Sequence, residues 1–131
     1  PPGTAKWIPP GARLEFVLHY ANIREAGETD RTSIGLYFAK SRPARVLRRM
    51  DLRNFFLDLP PGAPAQRVTR CFDFDEDRTL LSFTPHMHYR GKDVTYELIH
   101  PGGQRETLLS IPRYDFNWQL VYRLAEPRLV K

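Results

Sequence analysis

Proline and glycine interrupt this chain so often that short strands are favoured over long helices. Twelve prolines and eight glycines separate runs rich in Val, Ile, Leu, Phe and Tyr within 131 residues. Because proline lacks a backbone donor and glycine weakens regular structure, this spacing predicts short strands joined by turns. The sequence Pro-Pro-Gly-Ala occurs at 9–12 and again at 60–63. It is typical of a turn, since proline presets φ and glycine adopts positive φ.

Eight segments have the composition of strands. They are residues 13–20, 33–39, 45–52, 66–74, 79–88, 94–100, 106–111 and 118–124. Gly102-Gly103 lies between two of them and predicts a hairpin. Many short strands with turns between them predict an all-β fold, and we expect an antiparallel β-sandwich, jelly-roll-like. The polar segment at 41–43 predicts a domain boundary that separates residues 1–40 from residues 44–131.

Length and charge restrict the class of protein. The chain begins at Pro1 and stops at Lys131, directly after a strand-like run, so we expect a piece of a longer protein. No run of 18 apolar residues is present, and no membrane span is expected. The net charge is +5. The densest basic group is Arg45, Arg48, Arg49 and Arg53. No aromatic residues are interleaved there to stack on bases, so we interpret it as a solvated face or a surface against flanking parts of the same protein, with no nucleic-acid partner.

The pair His86 and His88 is the strongest candidate for chemistry. Within the strand predicted at 79–88, residues i and i+2 lie on one face, so both imidazoles are expected to reach one metal ion. Imidazole binds zinc, copper, iron and nickel, so the pair does not select the metal. Two ligands alone make an incomplete metal site. The alternative is that both histidines are hydrogen-bonded polar side chains on a solvent-exposed face, with no metal. Met87, between them, is expected on the opposite face, in the core.

The remaining candidates have weaker signals. His19 lies late in the strand predicted at 13–20, where a structural role and metal ligation are both open. His100 precedes a turn and is expected to face solvent. Cys71 is interpreted as a buried thiol or as half of a disulfide to another part of the protein. A cupin would place a glutamate four or five residues after the second histidine, where this chain has Lys92 and Asp93. The acidic run at 73–78 predicts a hairpin turn rather than a calcium site, since the EF-hand spacing is absent.

Three segments, in their order and spacing, resemble one family. They are Leu59-Pro60-Pro61-Gly62, Thr69-Arg70-Cys71-Phe72 and His86-Met87-His88-Tyr89-Arg90-Gly91-Lys92. Together they resemble the second domain of copper type II, ascorbate-dependent monooxygenases, the family of peptidylglycine α-hydroxylating monooxygenase and dopamine β-monooxygenase. Residues 17–20 resemble a strand near the end of the first domain. Residues 111–119 resemble the form seen in bacterial multidomain relatives.

The resemblance implies two copper ions in two β-sandwich domains, with ascorbate as the reductant. Residues 1–40 then correspond to the end of the first copper-binding domain, and residues 44–131 to most of the second. His86 and His88 correspond to ligands of the catalytic copper, where a C–H bond is hydroxylated with O2. His19 corresponds to a ligand of the electron-supplying copper. The alternative is a non-catalytic copper-binding or protein-interaction β-sandwich module.

Other implications concern what lies around these ligands. The family's methionine ligand is expected downstream of this chain, because neither Met50 nor Met87 stands at its place. The two further histidines are expected upstream of Pro1. The chain alone is therefore expected to be inactive. The resemblance also implies a bridge from Cys71 to a downstream cysteine and an extracellular or periplasmic protein. Thr84 stands where peptide-hydroxylating members carry an arginine that holds the substrate carboxylate, so a small-molecule or peptide-like substrate is left open.

An aromatic run follows the last predicted turn. Tyr114, Phe116 and Trp118 have the i, i+2, i+4 spacing that puts three side chains on one face of a strand. We expect this face to pack in the core, and a wall that contacts substrate is the alternative.

Overall fold

The computed structural model describes residues 2–20, 27 and 29–130. Throughout these residues the regular secondary structure is β, with six strands. They are β1 (Thr4–Lys6), β2 (Arg45–Leu47), β3 (Arg78–Phe83), β4 (Val94–Ile99), β5 (Arg105–Ile111) and β6 (Tyr122–Val130). The all-β prediction is confirmed. In the described part of the chain, a helix long and apolar enough to cross a membrane is not found.

The chain divides into two compact units. The N-terminal unit is Pro1–Asp51 and the C-terminal unit is Leu52–Lys131. The boundary predicted at 41–43 and the two domain assignments stay predictions.

In the N-terminal unit β1 and β2 form a parallel pair, with Thr4 opposite Arg45 and Lys6 opposite Leu47. This pair differs from the antiparallel pairing expected throughout. The strands predicted at 13–20 and 33–39 are absent from these residues. Apolar side chains there, including Phe16 and Tyr37, are exposed. Strand propensity alone does not make a strand, because each backbone donor and acceptor needs a neighbouring strand.

The C-terminal unit contains two antiparallel pairs. One is the hairpin of β4 and β5, which confirms the prediction made from Gly102-Gly103. Its turn is closed by a hydrogen bond from the Gly103 N–H to the His100 carbonyl at 2.7 Å. Gly103 has φ of 82°, which a side chain with a Cβ adopts only with strain. The other pair joins β3 to β6, which are far apart in sequence.

Register shifts in both pairs change which side chains face inward. One lies between Leu80 and Ser82 of β3, and the other lies between Tyr96 and Glu97 of β4. At a bulge the strict alternation of faces is interrupted. Consecutive residues are therefore half-buried near each shift, Leu80 with Leu81 and Leu108 with Leu109.

The two pairs contact each other through apolar and charged groups. The rings of Phe83, on β3, and Tyr96, on β4, lie with their centroids 4.5 Å apart. Glu106, on β5, pairs with Arg128, on β6. Val130, at the end of β6, is only 2% exposed, so the small core of this unit lies where the end of β6 approaches residues 98–101 of the hairpin. The fold is thus held by few fully buried side chains.

Proline and glycine also define the turns predicted at 9–12 and 60–63. Ala12 and Ala63 donate their N–H to the carbonyls of Pro9 and Pro60, each at 3.2 Å. Gly11 and Gly62 have positive φ, 75° and 69°. Both are the turns that the repeated sequence predicts. The strands expected after them, at 13–20 and 66–74, are not formed.

Burial of Tyr96 gives the C-terminal unit a testable alkaline sensitivity. Desolvation raises the pKa of the Tyr96 phenol above its ordinary value. The folded protein therefore holds this proton more tightly than the unfolded chain does. The protonated phenol contributes its full stability below the unfolded pKa of about 10, and this contribution is lost as the pH rises through the folded pKa. In urea unfolding between pH 8 and 11, Tyr96→Phe should lose less stability than the parent. Tyr89→Phe, at an exposed ring, serves as the control. Parallel losses in parent and Tyr96→Phe would contradict the assignment.

Candidate metal centre

The two histidines lie in a loop that directly follows β3. We define the histidine loop as residues 84–91. The strand predicted at 79–88 ends at Phe83, so the expectation that both imidazoles share a strand face is wrong. Pro85 explains the difference, since it has no N–H to donate to the ladder with β6. The Pro85 ring is fully buried and anchors the start of the loop.

Although they leave the strand, the two imidazoles lie side by side. The ring centroids of His86 and His88 are 5.2 Å apart, with an interplanar angle of 82°. A metal–nitrogen bond of about 2.0 Å leaves each centroid roughly 3 Å from the ion, so two rings that share one ion have centroids at most about 6 Å apart. Both side chains are exposed. The centroid distance is therefore within the range for two ligands to one metal, and both rings are open to solvent.

A tyrosine distant in sequence holds the middle of the loop. The Met87 N–H donates to the Tyr114 hydroxyl at 3.0 Å, and this hydroxyl donates to the Met87 carbonyl at 2.8 Å. The Tyr114 N–H donates to the Lys92 carbonyl at 2.8 Å. Met87 is half-buried, in keeping with its predicted inward direction. Local spacing does not predict this contact between Tyr114 and Met87, because the two residues are 27 positions apart.

Glycine at position 91 allows this close packing. A Cβ added to Gly91 would lie 2.7 Å from the Met87 Cβ and 2.9 Å from the Tyr114 Cδ1. The Gly91 N–H donates to the His88 carbonyl at 2.8 Å and closes the turn after the second histidine. Because the Met87 Cβ and the Tyr114 ring fill this space, only glycine fits at position 91 without displacing them.

The segment that carries Tyr114 also supplies an aromatic neighbour to His88. The ring centroid of Phe116 lies 5.4 Å from that of His88 and 4.4 Å from that of Tyr89. Tyr114 and Phe116 are half-buried, whereas Trp118 is 62% exposed. All three lie between β5 and β6, so the prediction that they share one strand face is wrong. Two of them instead pack on the histidine loop.

The donor set is compatible with copper but incomplete. Imidazole binds both copper oxidation states, and His86 and His88 supply two such ligands. Among the residues that the structure describes, no group of three or more His, Cys, Asp or Glu is placed to hold a metal ion. Within the described residues the pair therefore supplies two imidazole ligands, with no third His, Cys, Asp or Glu beside them.

The other candidate ligand, His19, lies in the N-terminal unit. Its side chain is exposed and it belongs to no strand, so the prediction that it lies late in a strand is wrong. The neighbouring Tyr20 donates its hydroxyl to Asp30 at 2.8 Å. Hydrogen bonds from Thr32 and then Tyr20 lower the pKa of the Asp30 carboxyl. Copper ligation by His19 stays a prediction.

Cys71 and His100 are the two remaining candidates. Cys71 is a free and exposed thiol, so the interpretation as a buried thiol is wrong, while the disulfide stays a prediction. The side chain of His100 is 36% exposed, so it faces solvent in part, and its Nε2 lies 3.1 Å from the Glu106 carboxylate. Glu106 also accepts a hydrogen bond from Arg128. This ion pair joins the hairpin to β6, and we assign His100 a structural role.

Comparison with known proteins gives no match to any family model, to any curated protein or to any solved structure.

Proposed function

We propose that this chain belongs to a copper-dependent, ascorbate-requiring monooxygenase-like protein in which His86 and His88 bind the copper that serves hydroxylation. The observation that carries the proposal is the pair of exposed imidazoles with centroids 5.2 Å apart. The motif around them, with its resemblance to the copper type II monooxygenases, supports copper among the metals that imidazoles bind.

The proposal includes the architecture and the reaction. The contacting hairpin and β3–β6 pair are the beginnings of an antiparallel, jelly-roll-like sandwich, one of two in the whole protein. Copper supplies the redox chemistry that activates dioxygen. One oxygen atom enters a substrate C–H bond, the other leaves as water, and ascorbate supplies the two electrons. The remaining ligands, with His19 at the second copper, complete the sites in the whole protein. We place that protein in the extracellular space or the periplasm.

This chain's own groups provide orientation and access. His86 and His88 are exposed, so a substrate approaching from solvent reaches them directly. Thr84 is also exposed and has no charge to pair with a carboxylate. The absence of a guanidinium at that position favours a substrate without a terminal carboxylate.

Copper binding to defined variants tests the proposal. The chain is titrated with Cu(I) in competition with a chromophoric chelator, under ascorbate. His86→Ala and His88→Ala should each weaken binding by more than about tenfold, because loss of outer-shell partners alone costs 10–100-fold. His100→Ala is the matched control, since this imidazole is bonded to Glu106. Equal affinity in all variants would refute ligation by the pair.

The competing function is a copper-binding module without hydroxylation, and it is favoured because only two imidazoles lie side by side among the described residues. Oxygen uptake separates the two. The copper-loaded whole protein with ascorbate should consume O2 in a His86-dependent manner and form a hydroxylated product with accepted substrates. Copper binding without substrate-dependent O2 uptake would support the binding module instead.

A further inference from the structure

We infer that Tyr114 is a positioning residue that sets the spacing of the two imidazoles. Only the effect on copper binding rests on the proposed function. The effect on the histidine loop rests on the structure: the Tyr114 hydroxyl bonds both the N–H and the carbonyl of Met87, the residue between the two histidines.

Peptide planarity turns these two bonds into a constraint on both histidines. The N–H of Met87 belongs to the peptide unit that contains the His86 Cα, and its carbonyl belongs to the unit that contains the His88 Cα. The Tyr114 hydroxyl contacts both units, at 3.0 and 2.8 Å. Fixing the two planes fixes the positions from which the two side chains extend. No regular strand performs this task, because β3 ends at Phe83.

The hydroxyl is itself held in place. Tyr114 donates its N–H to Lys92, which directly follows the histidine loop, so the tyrosine is bound at its backbone as well as at its ring end. The Tyr114 ring packs against Gly91, which has no side chain. A Cβ added at Gly91 would lie only 2.9 Å from the Tyr114 Cδ1. The next residues form a turn of their own, in which the Asp115 carboxylate accepts the Asn117 N–H at 2.8 Å.

Removing only the hydroxyl would leave the Met87 N–H and carbonyl without these partners. Backbone groups that lose a partner turn toward water or toward another donor or acceptor. The loop would then sample several conformations, and the two imidazoles would separate for part of the time. Copper that needs both ligands would bind more weakly, by about tenfold or more, as expected when a supporting partner is lost.

The test compares Tyr114→Phe with Tyr96→Phe in isotopically labelled protein without metal. Both variants remove a hydroxyl from a half-buried tyrosine in the same unit. In the parent and in Tyr96→Phe we expect a slowly exchanging Met87 amide and a nuclear Overhauser contact between the two imidazoles. In Tyr114→Phe we expect at least about tenfold faster amide exchange, in line with loss of a hydrogen bond, and loss of the contact between the rings.

These measurements separate the inference from the copper proposal. A parent protein that does not bind copper, but whose ring contact is lost in Tyr114→Phe, refutes copper ligation and supports the positioning role. A Tyr114→Phe variant that keeps both the ring contact and the copper affinity overturns the positioning role, even if its melting temperature falls. A Met87 amide that exchanges in the parent as fast as in an unstructured peptide overturns it without any variant.

Discussion

Replacing Gly91 with alanine is expected to destabilise the C-terminal unit by about 1–3 kcal/mol, the range for forcing a methyl group into a filled space. The added Cβ would lie 2.7 Å from the Met87 Cβ and 3.1 Å from the His88 carbonyl oxygen. Neither atom is the free end of a flexible side chain, so the backbone of the histidine loop has to move. Urea unfolding followed by circular dichroism measures the change in the free energy of unfolding.

Gly102→Ala is the matched control for this substitution. Nothing lies within 4 Å of a Cβ at Gly102, and its φ is not among the positive values of this chain. Alanine there restricts the unfolded chain and should leave stability unchanged or raise it by up to about 1 kcal/mol. A Gly91→Ala variant as stable as Gly102→Ala would show that the packing of Met87 and Tyr114 against Gly91 is not tight.

A charge at Val130 should cause the largest loss of stability, about 3 kcal/mol or more, because a carboxylate buried there loses its hydration and the facing Arg78 is already paired with Glu76. Val130 is 2% exposed and is the buried apolar side chain of the described core. It lies opposite Arg78 in the β3–β6 ladder. In Val130→Asp, thermal unfolding should move to much lower temperature at neutral pH and recover in part at acid pH, where the carboxyl is protonated.

The adjacent residue supplies the control. Leu129 is on the opposite face of β6 and is 51% exposed, so Leu129→Asp should change stability by no more than about 0.5 kcal/mol. Similar unfolding temperatures for Val130→Asp and Leu129→Asp would contradict the assignment of the core to the inner face of β6.

Local sequence patterns predicted one part of the candidate site and missed another. The His-x-His spacing indicated the two neighbouring imidazoles, but the strand on which that inference depended ends earlier. Pro85 was the available signal, since a residue without an N–H does not extend a paired strand. No local pattern predicted the hydrogen bonds of Tyr114 to Met87. Its spacing to Phe116 and Trp118 suggested a strand, whereas its actual partner, the Met87 backbone, lies in a different loop.

What the sequence determined by itself is the set of short-range features: the all-β class, the Gly102-Gly103 hairpin and the two Pro-Pro-Gly turns. Each depends on φ preferences and side-chain chemistry within a few residues, which the local sequence contains. The tertiary structure alone decided the pairing of β3 with β6, the bonds of Tyr114 to Met87, and the link of Glu106 to Arg128. These contacts join residues far apart in the chain, so they depend on which surfaces are buried together, and no local spacing encodes that choice.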